Sequence, residues 1–221
     1  MNILAFDTAT EACSAAFHRS DGAVFSRFQI APRQHQRLLP EMLSDLFEEA
    51  GAAKSDLDYC AFGNGPGAFT GIRIAAALAQ GIGTALDIPL LPVSTLAVLA
   101  QTALDRHPHD QVLVALDARM DEIYWSVYRR NGDGLADRVG DEQLTNIQGV
   151  QVSPDIEAGM GHGWLQALRE KHRFPIDADL LPDATALLKL AKSRADMGLA
   201  VAAGDITINY LRNQVAEKKR N

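Results

Sequence analysis

An internal repeat constrains this chain more than any other feature. Displaced by 110 residues, LAFDTATEACSAAFHRSDG (Leu4–Gly22) lies without a gap over VALDARMDEIYWSVYRRNG (Val114–Gly132). Ala5, Asp7, Arg19 and Gly22 meet Ala115, Asp117, Arg129 and Gly132, and the apolar pattern matches between them. Each copy is an apolar run ending on an aspartate, a polar turn, an alternating run and a second turn. That order reads as strand, turn, strand, turn. Four identities in nineteen positions also fit two unrelated hairpins. The aspartate at the same point of each unit is what favours duplication. Length alone suggests roughly 1.5 domains, and the repeat resolves this into two related halves of a 221-residue chain.

The spacing predicts strands over 2–7, 11–19 and 23–30, then a helix from His35 to Gly51 with Pro40 near its start. A strand at 57–62 runs into the glycine cluster Gly63-Asn64-Gly65-Pro66-Gly67. A helix then spans Phe69–Leu86, a strand 88–93, and a helix capped by Ser94 reaches about Leu104. Strand, hairpin and strand recur over 111–130. The stretch 136–154 is weakly patterned, and a short strand is expected at 157–160. Helices are expected after Gly161-His162-Gly163-Trp164, over 184–197 and over 208–218. Two copies of an Asp-ended strand and hairpin followed by helices match the two-lobed actin-like plan. There, paired aspartates organise a metal and nucleotide phosphates across a cleft, so an ATPase or kinase is the first hypothesis.

The turn chemistry argues against it. Phosphate binding at such turns needs backbone N–H groups close to the anion, hence glycine and small hydroxyls. Asp7-Thr8-Ala9-Thr10 suits this only in part. Asp117-Ala118-Arg119-Met120 has no glycine and two long side chains. The glycine cluster follows a strand and opens a helix, where anions are favoured. It lacks a P-loop Lys-Ser/Thr, and Asp87 precedes the next strand instead of ending it, so the dinucleotide pattern fails. His107-Pro108-His109 reads as surface histidines. Cys13 and Cys60 read as two buried thiols with no metal-ligand spacing. No basic leader opens the chain, and the default location is the cytoplasm. A net charge of −7 argues against a stand-alone nucleic-acid binder.

Phe69–Leu86, FTGIRIAAALAQGIGTAL, carries one charge, Arg73. A surface helix has a polar stripe, so this one is expected to be buried on most sides. Gly71, Ala75, Ala79 and Gly83 form a small ridge, and Ile74, Leu78, Ile82 and Leu86 a large one. Small ridges admit a close neighbour. That neighbour is either the chain's own core, including the preceding helix, or another protein.

Six segments in order carry a resemblance: ILAFDTATEACSAA, HQRLLP, GNGPGAFTGIRIA, PLLPVSTL, LDARMDEIYW and YLRN. Together they make the chain similar to the TsaB (formerly YeaZ) family over nearly its whole length, most weakly from about 136 to 194. The resemblance implies an α/β, two-lobed actin-like (ASKHA, ribonuclease-H-like) duplicated fold with mixed sheets flanked by helices. The lobes implied are 1–104, completed by a C-terminal helix 205–221, and a smaller 105–204. In the catalytic paralogue TsaD, once described as a glycoprotease, a His-x-x-x-His pair binds the metal. Thr95 and Leu99 stand at those positions here, and neither supplies a nitrogen ligand.

The implied role is a non-catalytic scaffold or activator that pairs with TsaD, and with TsaE. The chemistry is threonylcarbamoylation of the adenosine next to the anticodon in tRNAs reading A-starting codons. The implied pairing surface is the N-terminal helices, with Leu39, Met42, Leu43, Leu46, Phe69, Gly71, Ile72, Arg73, Ala75, Ala76, Ala79 and Gly83 as its residues. No catalytic residue, cofactor or metal is assigned to the chain. It is expected to form a homodimer when alone and to meet tRNA only through the complex. The alternative is an active actin-like ATPase or glycoprotease-like peptidase.

Overall fold

The computed structural model describes residues 1–161 and 174–212. Its framework is two five-stranded mixed sheets of the same design. The first contains β1 (Ile3–Asp7), β2 (Ala12–His18), β3 (Val24–Ile30), β4 (Tyr59–Gly63) and β5 (Leu90–Val93), in the order β3-β2-β1-β4-β5. The second contains β6 (Gln111–Arg119), β7 (Glu122–Arg130), β8 (Ala136–Asn146), β9 (Ala158–Gly161) and β10 (Ile176–Asp177), in the order β8-β7-β6-β9-β10. Within each sheet the three hairpin strands are antiparallel and the last two join in parallel. Ile3 pairs with His18, and Leu113 with Val127, so the two hairpins share the topology of the repeat with their registers shifted by one residue.

Four described helices cover these sheets: α1 (His35–Ala50), α2 (Phe69–Leu86), α3 (Thr95–Arg106) and α4 (Ala184–Asp196). β1 is buried on both faces, which explains its unbroken apolar run. Leu4 and Phe6 point to one side, where α1 and α2 pack with Leu39, Leu46, Ala75 and Ala79. Ile3 and Ala5 point to the other, against Leu187, Leu190 and Ala191 of α4. α3 stands between the sheets. Leu96, Leu99 and Ala103 pack on Val112, Val114 and Tyr128 of the second sheet, and Val98 packs with the first.

Three expectations change. Helix α4, placed in the smaller lobe by the sequence division, packs on the first sheet. The weakly patterned stretch holds the eleven-residue β8, an edge strand whose residues are mostly solvent-exposed and so carry no apolar alternation. After a short 3-10 turn at Ala203–Asp205, residues 206–212 are not helical, so this part of the anticipated C-terminal helix is absent. The rest of that helix, and the helix expected after Gly161, lie outside the described residues. The two thiols are buried and unpaired as anticipated.

Candidate functional site

The two repeat aspartates sit in different surroundings. Asp7, at the end of β1, is 1% exposed. Its carboxylate accepts from the Ala9 backbone N–H at 2.7 Å and from the Thr95 hydroxyl at 3.1 Å. Burial pushes its pKa up to about 6, against the pull of those two donors. The glycine loop presses directly on this turn. A Cβ on Gly63 would lie 1.7 Å from Asp7 Oδ2, and one on Gly71 would lie 1.9 Å from the Thr8 carbonyl oxygen. Ala68 N–H donates to the Ala9 carbonyl at 2.7 Å, and the Thr8 hydroxyl donates to the Gly71 carbonyl at 2.8 Å. The glycines here make room for the Asp7 carboxylate and the Thr8 backbone, the space a phosphate would otherwise need.

Asp117 lies in a tight turn in which Arg119, Met120 and Asp121 all have positive φ, between 59° and 66°. The Arg119 N–H donates back to Asp117 at 2.8 Å, and its guanidinium pairs with the same carboxylate at 3.0 Å. Arg212 donates to the Ala118 carbonyl at 3.0 Å and pairs with Glu122 at 2.5 Å. The second turn therefore presents oxygens to a cation instead of N–H groups to an anion. These residues do not fit a nucleotide phosphate, and no group of three or more His, Cys, Asp or Glu placed to hold a metal occurs among the described residues.

The open feature lies on the other side of the first sheet. α1 covers β2 and β3, α2 covers β4, and a valley runs between the helices. Its wider part is a groove of about 530 Å³ lined by Gln36, Leu39, Pro40, Phe69, Thr70, Arg73, Ile74, Ala77 and Leu78. Pro40 and Leu78 continue into a smaller hollow of about 170 Å³ floored by Leu43, Phe47, Ile82 and Leu86. At the wide end the Arg73 guanidinium lies 3.3 Å from the centroid of the Phe69 ring and 5.4 Å from that of Tyr210. Such stacking holds a cation in place at a surface.

A family model described as TsaD: tRNA N6-adenosine threonylcarbamoyltransferase matches residues 15–212. The chain is 38% identical to the tRNA threonylcarbamoyladenosine biosynthesis protein TsaB of Escherichia coli K12, over 99% of this chain and 98% of that one. The TsaB protein of Haemophilus influenzae is 32% identical over 99% and 97%. A solved structure of YeaZ from Pseudomonas aeruginosa superposes with a TM-score of 0.89 at 42% identity, covering 95% of this chain and 99% of that chain. The chain belongs to the TsaB family.

For a TsaB-family chain the two positions of the paralogue's histidine pair have other uses. Thr95 donates to Asp7, and Leu99 is fully buried in the core of the second sheet. The sequence-selected surface divides. Phe69 is 55% exposed and Arg73 is exposed, and both line the groove. Leu39 and Leu43 form its floor, while Met42 and Leu46 belong to the core beneath. Gly71, Ile72, Ala75, Ala76, Ala79 and Gly83 are buried inside the chain, which corrects their assignment to an outer face. The small ridge faces the chain's own sheet because a close helix–sheet approach leaves no room for larger side chains. The expectation of a helix buried on most sides fails with it: Arg73, Ala77, Gly81, Thr84 and Ala85 are exposed. Gln36, Pro40, Thr70, Ile74, Ala77 and Leu78 are the groove residues missed. The large ridge was the signal that pointed to two of them.

Proposed function

We propose that this chain is a non-catalytic scaffold and activating subunit in the formation of threonylcarbamoyladenosine beside the anticodon of tRNAs reading codons that begin with A. It pairs with a TsaD protein through the α1–α2 groove, and TsaE joins that pair. The observation that carries this reading is a contrast. In the two aspartate turns the carboxylates and the Ala118 carbonyl are engaged by groups of the same chain, while an apolar groove with a stacked arginine at its mouth faces solvent. Full-length similarity to proteins named for this pathway supports the same reading. Apolar floors ringed by aromatic and arginine residues are the usual anatomy of a protein interface. A second copy of the chain takes the groove when the partner is missing. The reading puts the chain in the cytoplasm, and tRNA is held by the complex and not by this subunit.

The test is reconstitution of tRNA modification from TsaD, TsaE, the threonylcarbamoyl adenylate and tRNA, with and without this chain. Product should accumulate only when the chain is present. Ala77→Glu places a charge in the groove without touching the core. It should fold normally and weaken pairing with TsaD by about tenfold or more. Product formation at an equal rate without the chain would overturn the proposal. ATP hydrolysis or peptide cleavage by the pure chain, abolished by Asp7→Ala, would establish the enzymatic alternative in its place.

A further inference from the structure

Residues 203–212 bind in turn to each of the parts described above. The Gln80 amide of α2 donates to the Ala203 carbonyl at 3.0 Å. Ile206 and Ile208 pack on the first-sheet core. Asn209 then joins the glycine loop: its N–H donates to the Asn64 carbonyl at 2.8 Å, and Asn64 Nδ2 donates to the Thr207 carbonyl at 3.3 Å. From the same residue, Asn209 Nδ2 donates to Glu142 Oε2 of β8 at 2.6 Å. The other oxygen of Glu142 accepts from Tyr128 of β7 at 2.8 Å and from Ser94, the N-cap of α3. One carboxylate thus gathers donors from both sheets' surroundings and from the C-terminal segment, and hydrogen bonds to a charged group are the stronger kind. Tyr210 turns back to the first lobe, 6.3 Å from Phe69 between ring centroids, and lies over Arg73. Leu211 enters the second-sheet core, and Arg212 fills the Asp117 turn through the Ala118 carbonyl and Glu122.

We infer that residues 203–212 are an intramolecular clamp. Arg212 occupies in cis the turn that a nucleotide would otherwise need, and Tyr210 fixes the mouth of the α1–α2 groove, so that groove occupancy and lobe arrangement are coupled. The coupling has a physical carrier, because consecutive side chains of one continuous segment hold the groove rim (Tyr210) and the second lobe (Leu211, Arg212). Freeing Arg212 releases the same backbone that presses Tyr210 onto Arg73. A partner seated against Phe69 and Arg73 then binds more tightly to the clamped form than to the released one, which is the differential affinity that coupling requires. The groove part of this inference rests on the docking reading given above.

The experiment uses the full-length chain, with hydrogen exchange measured on the free protein and affinity measured for a TsaD protein. Arg212→Ala lies outside the groove lining. It should nevertheless speed exchange across Phe69–Ile74 as well as Ala118–Glu122, and weaken TsaD binding by about tenfold, within the usual range of such couplings. Tyr210→Ala should do the same from the other end, and it serves if Arg212→Ala does not fold. Faster exchange confined to Ala118–Glu122, with TsaD affinity within twofold of wild type, would overturn the clamp. A wild-type chain that binds no TsaD protein would instead defeat the proposed function, and the exchange measurement would still decide whether the clamp exists.

Discussion

Asp7 shows at the residue scale how a chemical position becomes a structural one. Its carboxyl is enclosed by Thr95, the Ala9 N–H and the glycine loop, and its folded pKa of about 6 lies above the ordinary value near 4. The folded chain therefore keeps a proton that the unfolded chain has already lost between about pH 4 and pH 6. Its contribution to stability is full below pH 4, falls as pH rises through 6, and leaves a penalty of about 3 kcal/mol at neutral pH. The Asp7 charge in turn reaches Cys13: burial first, and then that charge, push its thiol up to about 12, so it stays neutral throughout. Asn at position 7 keeps an acceptor for the Ala9 N–H and removes the titration. Asp7→Asn should fold and match or exceed wild type above pH 7, and its stability difference from wild type should vanish toward pH 4. Urea unfolding of both proteins from pH 4 to 8 checks this, and a variant that is less stable at every pH would refute it. The sequence reading located Asp7 through the repeat. The depth of its burial depends on Gly63, Gly71 and Thr95, which are brought to it from distant parts of the chain.

At the element scale, α2 carries the main correction. By length and composition it could cross a membrane, yet a third of that window is buried within the protein. Its small ridge faces its own sheet, and its larger residues flank the valley toward α1. The glycines report this division. A Cβ at Gly81 meets nothing within 4 Å, whereas one at Gly83 would lie 2.8 Å from Leu90 Cδ2, and one at Gly71 would strike backbone. Gly81→Ala should therefore raise stability by up to about 1 kcal/mol, the helix-propensity difference, or a few degrees in Tm for a chain of this size. Gly71→Ala should destabilise by more than that gain, because the backbone it meets cannot step aside as a flexible side chain can. Thermal unfolding of the two single variants separates these outcomes, and equal shifts would show the assignment of helix faces to be mistaken. Helical spacing identified both ridges, but spacing repeats identically on either side of a helix. It carries no sign for inside and outside when two ridges are apolar.

For the whole molecule, the net charge of −7 and the duplication act together. Polyanion binding needs a basic surface to release counterions. The isolated chain should accordingly show no retention of tRNA at physiological salt, and retention should appear only with TsaD present. A gel-shift or filter-binding titration tests this, and tight binding by the chain alone would contradict the proposed division of labour. The repeat was legible because a hairpin is local: apolar alternation and turn residues are written within about twenty consecutive positions. From it came the two sheets of matching design and the aspartate in each. The polar edge strand β8 left no such pattern, because solvent makes no demand for alternation. The attachment of α4 to the first sheet, the crossing of residues 203–212 between lobes and the outward face of α2 were not legible either. Each depends on which distant surfaces meet. Sequence by itself determined the repeated strands, the main helices and the unsuitability of the second turn for phosphate, since these follow from local spacing and side-chain chemistry. Tertiary structure alone decided which apolar ridge is core and which is surface, because burial is a property of the assembled neighbours and not of the segment.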